Sequence, residues 1–137
     1  MKREELNFFL QKVPEAELGA LCEKVTSKAQ VALIQKPTQQ TLLLPVKDPI
    51  TNGEFISGEV LVTSAIVQVN SVNGWAMVMD QQSELARVIA TLDGAFAAGV
   101  YTQQIIRLVE QGKDTWEDEL AEENQKVEDT RVSFDLM

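Results

Sequence analysis

The sequence predicts an α+β domain in which an antiparallel sheet of about four strands packs against helices. Apolar residues recur at helical spacing near both ends of the chain, and short β-rich runs separated by turn signals fill the middle. The connections between those runs are short, which indicates antiparallel pairing. A chain of 137 residues has the length of one domain and can bury a core without disulfides or metal.

Two N-terminal helices are predicted. The first covers about residues 3–12, and the second, PEAELGALCEKV, begins at Pro14, which fits the first turn of a helix. The apolar face of the second helix consists of Leu18, Leu21, Cys22 and Val25. Cys22 is therefore expected to be a small core residue rather than a reactive thiol.

The predicted strands follow. QVALIQ and TLLLPV are separated by the turn-like KPTQQ, and EVLVTSAIVQV is apolar on both faces, as expected of a central strand. Asn73-Gly74 is the predicted hairpin turn into WAMVMD. The terminal TRVSFDLM alternates, with Val132, Phe134 and Leu136 on one side, and predicts a short final strand.

The last third is predicted to be helical. SELARVIATLDGAFAAG should begin at an N-cap, Ser83, and end near Gly99, and YTQQIIRLVEQGK should end at Gly112. An acidic helix, TWEDELAEENQKVED, then follows its own cap, Asp114. The predicted division is a core domain of residues 1–113 and an arm of residues 114–137, made of the acidic helix and the terminal strand.

The negative charge is concentrated in that arm. The net charge is −9, of which residues 1–113 carry −2 and residues 114–137 carry −7. Such a chain should be repelled by nucleic acid and by anionic membranes. The N-terminus lacks the pattern of a secretory signal, no apolar run is long enough to span a bilayer, and there is one cysteine. We expect a cytoplasmic protein.

The composition excludes several chemistries. Without histidine, and with a single cysteine, the chain cannot form a Cys/His zinc site or a Ser–His or Cys–His catalytic pair. The carboxylates that could act as acid and base or bind Mg²⁺ are Glu59, Asp80 and Asp93. The cations that could clamp a phosphate are Lys47, Arg87, Arg107 and Arg131. Ordinary exposed charge is the favoured interpretation of both sets, so no catalytic, cofactor-binding or metal-binding residue is predicted.

The two tryptophans are expected to lie in different environments. Trp75, on a strand, is expected in the core, and Trp116, on the acidic helix, at an interface. The apolar stripe of the acidic helix is thin, so the helix is either a solvated face or docks on a basic, partly apolar partner. The candidate interface residues are Trp116, Leu120, Arg131, Val132, Phe134 and Leu136.

A series of short motifs resembles the PhnG family, the G subunit of the bacterial carbon–phosphorus lyase system. The motifs, in order, are Gly58-Glu59, Val62-Thr63, Gly74, Asp93-Gly94 and Arg131-Val132 followed by Phe134 and Met137. Their order and spacing over residues 53–137 carry the resemblance, because no single motif is diagnostic.

The resemblance implies a role in phosphonate catabolism. It implies an accessory subunit that supports transfer of the ribose 5-triphosphate moiety of ATP to an alkylphosphonate, with release of adenine. The expected partners are the H, I and J subunits, with the catalytic residues on the I subunit. The complex uses ATP, but this chain is expected to bind no cofactor itself. An independent module for a phosphorylated ligand is the alternative, and the isolated chain is open to self-association through its exposed docking surface.

Overall fold

The computed structural model describes the backbone of residues 2–47, 50 and 53–135, and the side chains of these residues except 44–47, 54–57 and 126–135. Within this part of the chain there are four helices and three strands. Their order is α1 (Arg3–Leu10), α2 (Glu15–Lys28), β1 (Val31–Lys47), β2 (Glu54–Val69), β3 (Val72–Met79), α3 (Ser83–Ala98) and α4 (Thr102–Asp135). The α+β prediction is confirmed, with three antiparallel strands in the order β1-β2-β3 rather than about four.

The strand count differs because QVALIQ and TLLLPV belong to one strand. β1 runs through the predicted turn, and its pairing with β2 shifts register between Gln35 and Thr38. Pro37 lies inside this irregularity, where its missing N–H costs no ladder hydrogen bond. The residues that the sequence pattern indicated as a turn therefore form a bulge within β1.

The hairpin between β2 and β3 turns earlier than predicted. Asn70 and Ser71 have φ values of 48° and 70°, as a two-residue type I′ turn requires. The Asn70 side chain accepts a hydrogen bond from the Gln30 backbone N–H, which ties the turn to the start of β1. Asn73 and Gly74 are consequently in β3 rather than in the turn.

The core lies between one face of the sheet and the helices. α3 packs on all three strands and is buried over most of the stretch from Leu85 to Ala95, in agreement with its largely apolar sequence. The strand residues in this core are Ala65, Val67, Val69, Ala76 and Val78. Cys22 is buried as predicted. Gly99 ends α3 with φ 78°, also as predicted, whereas Ser83 is the first helical residue and not the N-cap.

The two predicted C-terminal helices are a single helix, α4, of 34 residues. Gly112 does not end a helix. It allows α4 to approach α1, because a Cβ atom there would overlap the carbonyl oxygen of Phe9. Asp114 lies inside α4 and is not a cap. No described helix is both long and apolar enough to cross a bilayer.

The predicted terminal strand is wrong for residues 131–135, which continue α4. A helix satisfies its backbone N–H and C=O groups within itself, whereas a strand needs a neighbouring edge. The alternation of Val132 and Phe134 is therefore not enough to form a strand. Leu136 lies outside the described residues.

Candidate partner-binding surfaces

A buried carboxylate joins α3 to the sheet and to α1. The Asp93 side chain is 0% exposed and accepts hydrogen bonds from Arg3 Nε at 3.1 Å and Arg3 Nη2 at 2.6 Å. It also accepts the backbone N–H of Trp75 at 2.9 Å. The hydrogen bond to Asp93 raises the pKa of Arg3 above its ordinary value. These bonds satisfy the buried charge, so Asp93 is a structural anchor.

Helix α1 covers the outer edge of β3 with side chains spaced four residues apart. Arg3 donates to the Asn73 carbonyl, and Gln11 donates to the Met77 carbonyl at 3.4 Å. Between them, Asn7 donates to the Trp75 carbonyl at 3.0 Å and accepts the Met77 N–H at 3.2 Å. Four helical residues rise about 6 Å and two strand residues about 6.6 Å, so the two repeats match.

The turn from β3 into α3 is also tied down by a buried side chain. The Thr63 hydroxyl donates to the Asp80 carbonyl at 2.6 Å and accepts the Gln82 N–H at 3.3 Å. At the other end of β3, Gly74 contacts Gly94 of α3 so closely that a Cβ atom on Gly74 would overlap the Gly94 backbone nitrogen. Small residues at both positions let strand and helix pack backbone to backbone.

The predicted acidic set does not come together. Asp93 is buried beside Arg3 and the hairpin end of β3, whereas Asp80 follows the opposite end of β3. Glu59 lies farther along β2, beyond the last residue that pairs with β3. Among the described residues there is no group of three or more Cys, Asp or Glu that could hold a metal ion.

The predicted basic set is only partly described. Arg87 forms a two-point ion pair with Glu84, with distances of 2.5 and 3.2 Å, which lowers the pKa of Glu84 and raises that of Arg87. Both are on α3, beside a groove that Cys22 also lines. Arg107 is exposed on α4, and the side chains of Lys47 and Arg131 are not described. The convergence of these cations on a phosphate stays untested.

Residues Asp114–Asp135 of α4, called the acidic arm below, are held to the body at their start. Trp116 stacks edge-to-face on Phe8 and Phe9, with ring centroids 5.8 Å apart in both pairs. Glu119 then accepts a hydrogen bond from Lys12 at 2.9 Å. Every described residue from Glu117 to Gln125 is exposed, Leu120 at 37%. The arm therefore leaves the body after a short aromatic anchor.

The face of the sheet away from α3, called the outer face below, is apolar and exposed. Trp75 is 36% exposed there, next to Ile66 on β2, and the core prediction for Trp75 is wrong. Alternation along β3 explains the outcome, because Gly74, Ala76 and Val78 face α3 and leave Trp75 on the other side. Among the described side chains, Met77, Met79 and Leu42 are further large exposed residues on this face.

A family model described as "Phosphonate metabolism protein PhnG" matches residues 1–137, the whole chain. The chain belongs to the PhnG family. No curated protein matches the sequence. Membership makes this chain a phosphonate-metabolism subunit of the carbon–phosphorus lyase system.

The PhnG motifs in the described part of this chain are largely structural. Thr63 fixes the β3–α3 turn, Gly74 and Gly94 form the close strand–helix contact, and Asp93 accepts three hydrogen bonds. From the sequence, Gly74 was expected in a turn and Asp93 on the surface. The Asp-Gly pair in the apolar stretch that follows Arg87 was the signal for this contact.

Of the predicted interface residues, the structure describes the side chains of two. Leu120 is exposed, and Trp116 is partly covered by α1 of its own chain. The side chains of Arg131, Val132 and Phe134 are not described. The interface assignment therefore remains a prediction. The outer face was missed by sequence reasoning, although Trp75, Met77 and Met79 alternate in WAMVMD.

Proposed function

We propose that this chain is a non-catalytic accessory subunit of the carbon–phosphorus lyase core complex. It supports the step that transfers the ribose 5-triphosphate moiety of ATP to an alkylphosphonate and releases adenine. Its partners are the H, I and J subunits, of which the I subunit is the expected direct partner and contributes the catalytic residues. The complex works in the cytoplasm, and this chain contributes docking surface rather than a ligand site for ATP.

The match to the PhnG family over the whole chain carries this proposal. Two features of the structure support a docking role. The outer face exposes Trp75, Met77 and Met79, which are residue types enriched at protein interfaces and not at free surfaces. The acidic arm exposes carboxylates on both sides of its contact with Lys12, at Glu117, Asp118, Glu122 and Glu123.

The proposal is tested by reconstituting the step from purified H and I subunits, ATP, methylphosphonate and the ATPase-like L subunit, which the family resemblance also associates with this step. Adenine release is measured with and without this chain. Because the chain supports assembly, we expect its omission to slow release at least about tenfold. Release at the full rate without this chain would contradict an obligatory role.

A matched variant separates an accessory role from a phosphate-binding one. Lys47→Gln removes a cation of the predicted phosphate set and should leave the rate of adenine release unchanged.

A second experiment measures ligand binding by the isolated chain in a calorimeter, with ATP and methylphosphonate as separate titrants. We expect no binding at micromolar ligand. Micromolar binding by the isolated chain would favour a module for phosphorylated ligands and contradict the accessory role.

A further inference from the structure

The hairpin formed by β1 and β2 extends far past β3. β2 pairs with β1 from Glu54 to Val69 but with β3 only from Val62 to Val69. Residues 41–47 of β1 and 54–61 of β2 therefore continue as a two-stranded ribbon, called the β arm below. At about 3.3 Å per residue the β arm reaches roughly 25 Å beyond the body.

Within the part of the chain that the structure describes, one edge of the β arm has no paired strand, because β3 ends at Met79. The chain turns at Asp80, which has φ 65°, and the Asp80 N–H donates to the Leu61 carbonyl as the last bond along this edge of β2. Backbone groups alternate sides along a strand, so the N–H and C=O of Glu59 point to the same edge as those of Leu61. Among the described residues no strand pairs with this edge beyond Leu61.

The acidic arm projects from the same end of the molecule as the β arm. α1 runs alongside β3 in the same direction, with Arg3 at Asn73 and Gln11 at Met77. α4 follows α1, with Gly112 against Phe9 and Glu119 at Lys12. β3 itself points toward the tip of the β arm, since it is antiparallel to β2. From Glu119 to Asp135, α4 continues for about 24 Å.

The described charges at this end of the molecule are mostly negative. On the acidic arm the exposed carboxylates on either side of Glu119 include Glu117, Asp118, Glu122 and Glu123. Asp80 lies at the base between the arms and Glu59 on the β arm, both exposed. Lys12 also lies at this end and forms an ion pair with Glu119. A second copy of this chain and a nucleic acid would both be repelled, whereas a cationic protein segment would be attracted.

We propose that the two arms together hold one extended, lysine-bearing segment of a partner protein. The segment continues the line of β3 and pairs with the open edge of β2, and its cations face the acidic arm. On the outer face, Leu42 of β1, 38% exposed and one strand removed from the open edge, leaves apolar surface for the segment's other side chains. The inference rests on the proposed function, since the partner is a subunit of the same complex.

Zero-length carbodiimide cross-linking tests the geometry. The full chain is co-expressed with the H, I and J subunits, and the purified assembly is treated with the reagent, which joins carboxylates to contacting lysines. We expect Glu59 and either Asp118 or Glu122 to be joined to lysines in the same short segment of one partner. Cross-links to different subunits, to another copy of this chain, or to none would overturn the inference.

Two variant pairs test the chemistry. Glu59→Pro removes the N–H on the open edge, whereas its control, Glu59→Gln, loses the same charge and keeps the N–H. Asp118→Lys with Glu122→Lys reverses charge on the arm, and its control, Glu23→Lys with Glu110→Lys, makes the same net change on exposed sites elsewhere. We expect the test variants to bind the partners at least about tenfold more weakly than their controls.

The outcomes separate this inference from the proposed function. If the wild-type chain co-purifies but the test variants bind as tightly as their controls, only the two-arm inference fails. If the wild-type chain does not co-purify with any of the three subunits, the proposed function fails and the inference fails with it.

Discussion

At the scale of single residues, the molecule depends on a few contacts where β3 meets α3. Gly74 and Gly94 bring the two backbones together, and Asp93, one residue before Gly94, accepts the N–H of Trp75. The same carboxylate holds Arg3 of α1. One short stretch of α3 therefore fixes the position of both the edge strand and the helix that covers it.

Gly74→Ala should be among the most damaging single substitutions. The added methyl group would overlap backbone atoms of Ala90 and Gly94, which cannot move aside as a flexible side chain would. We expect a loss of about 4 kcal/mol in the free energy of unfolding. Gly19→Ala is the control, because nothing lies within 4 Å of its added Cβ. That substitution should stabilise α2 by about 0.5–1 kcal/mol. Urea unfolding measures both, and equal effects would contradict the packing described here.

Asp93→Asn tests the buried ion pair. The amide keeps the volume but cannot accept all the bonds that Arg3 and the Trp75 N–H donate. We expect the free energy of unfolding to fall by about 2 kcal/mol. Glu84→Gln breaks the exposed pair with Arg87 and should cost less than about 0.5 kcal/mol. A cost for Asp93→Asn no larger than that of Glu84→Gln would show that Asp93 is not an anchor.

At the scale of elements, α1 protects the edge of β3. An uncovered edge strand invites pairing with other chains, and here the polar side chains of a helix take the place of a neighbouring strand. Asn7 is the centre of this contact, since it bonds one carbonyl and one N–H and is nearly fully buried.

Asn7→Leu should open that edge. Leucine has a similar size but leaves the Trp75 carbonyl and the Met77 N–H without their partner. We expect a loss of about 2 kcal/mol in the free energy of unfolding and faster amide hydrogen exchange at Met77. Gln11→Leu, which removes a longer and more exposed bond, serves as the comparison and should cost less. Unchanged exchange at Met77 in Asn7→Leu would contradict the role of α1.

The elements also show what local sequence pattern can and cannot predict. Helical periodicity predicted α3 nearly to the residue, and β-rich apolar runs next to a turn signal predicted the strands EVLVTSAIVQV and WAMVMD. It failed where a long-range contact decides the outcome. Pro37 looks like a turn but lies in a bulge of β1, and Gly112 looks like a cap but lies against Phe9. Only the packed structure supplies those contacts.

The candidate partner-binding surfaces also differ in how far the sequence predicts them. The acidic arm could be predicted, because charge is visible in composition. The outer face could not be assigned, because alternation shows that Trp75 and Gly74 face opposite ways but not which side α3 covers. The terminal segment was predicted as a strand from its pattern alone, whereas residues 131–135 continue α4.

At the scale of the whole molecule, the packed sheet and helices leave the outer face and the acidic arm exposed. The outer face is apolar and the acidic arm is strongly charged, so a single simple partner surface does not complement both. Binding to several different subunits, as the proposed function requires, would cover both surfaces.

Co-elution of the full chain with its proposed partners tests this account most directly. The H, I and J subunits are co-expressed with this chain, and the mixture is passed over a size-exclusion column coupled to light scattering. The account predicts one peak that contains this chain with all three partners. The mass of that peak should exceed the mass of the assembly that the three partners form when this chain is left out. Elution of the folded chain on its own, with the other subunits in a separate peak, would contradict it.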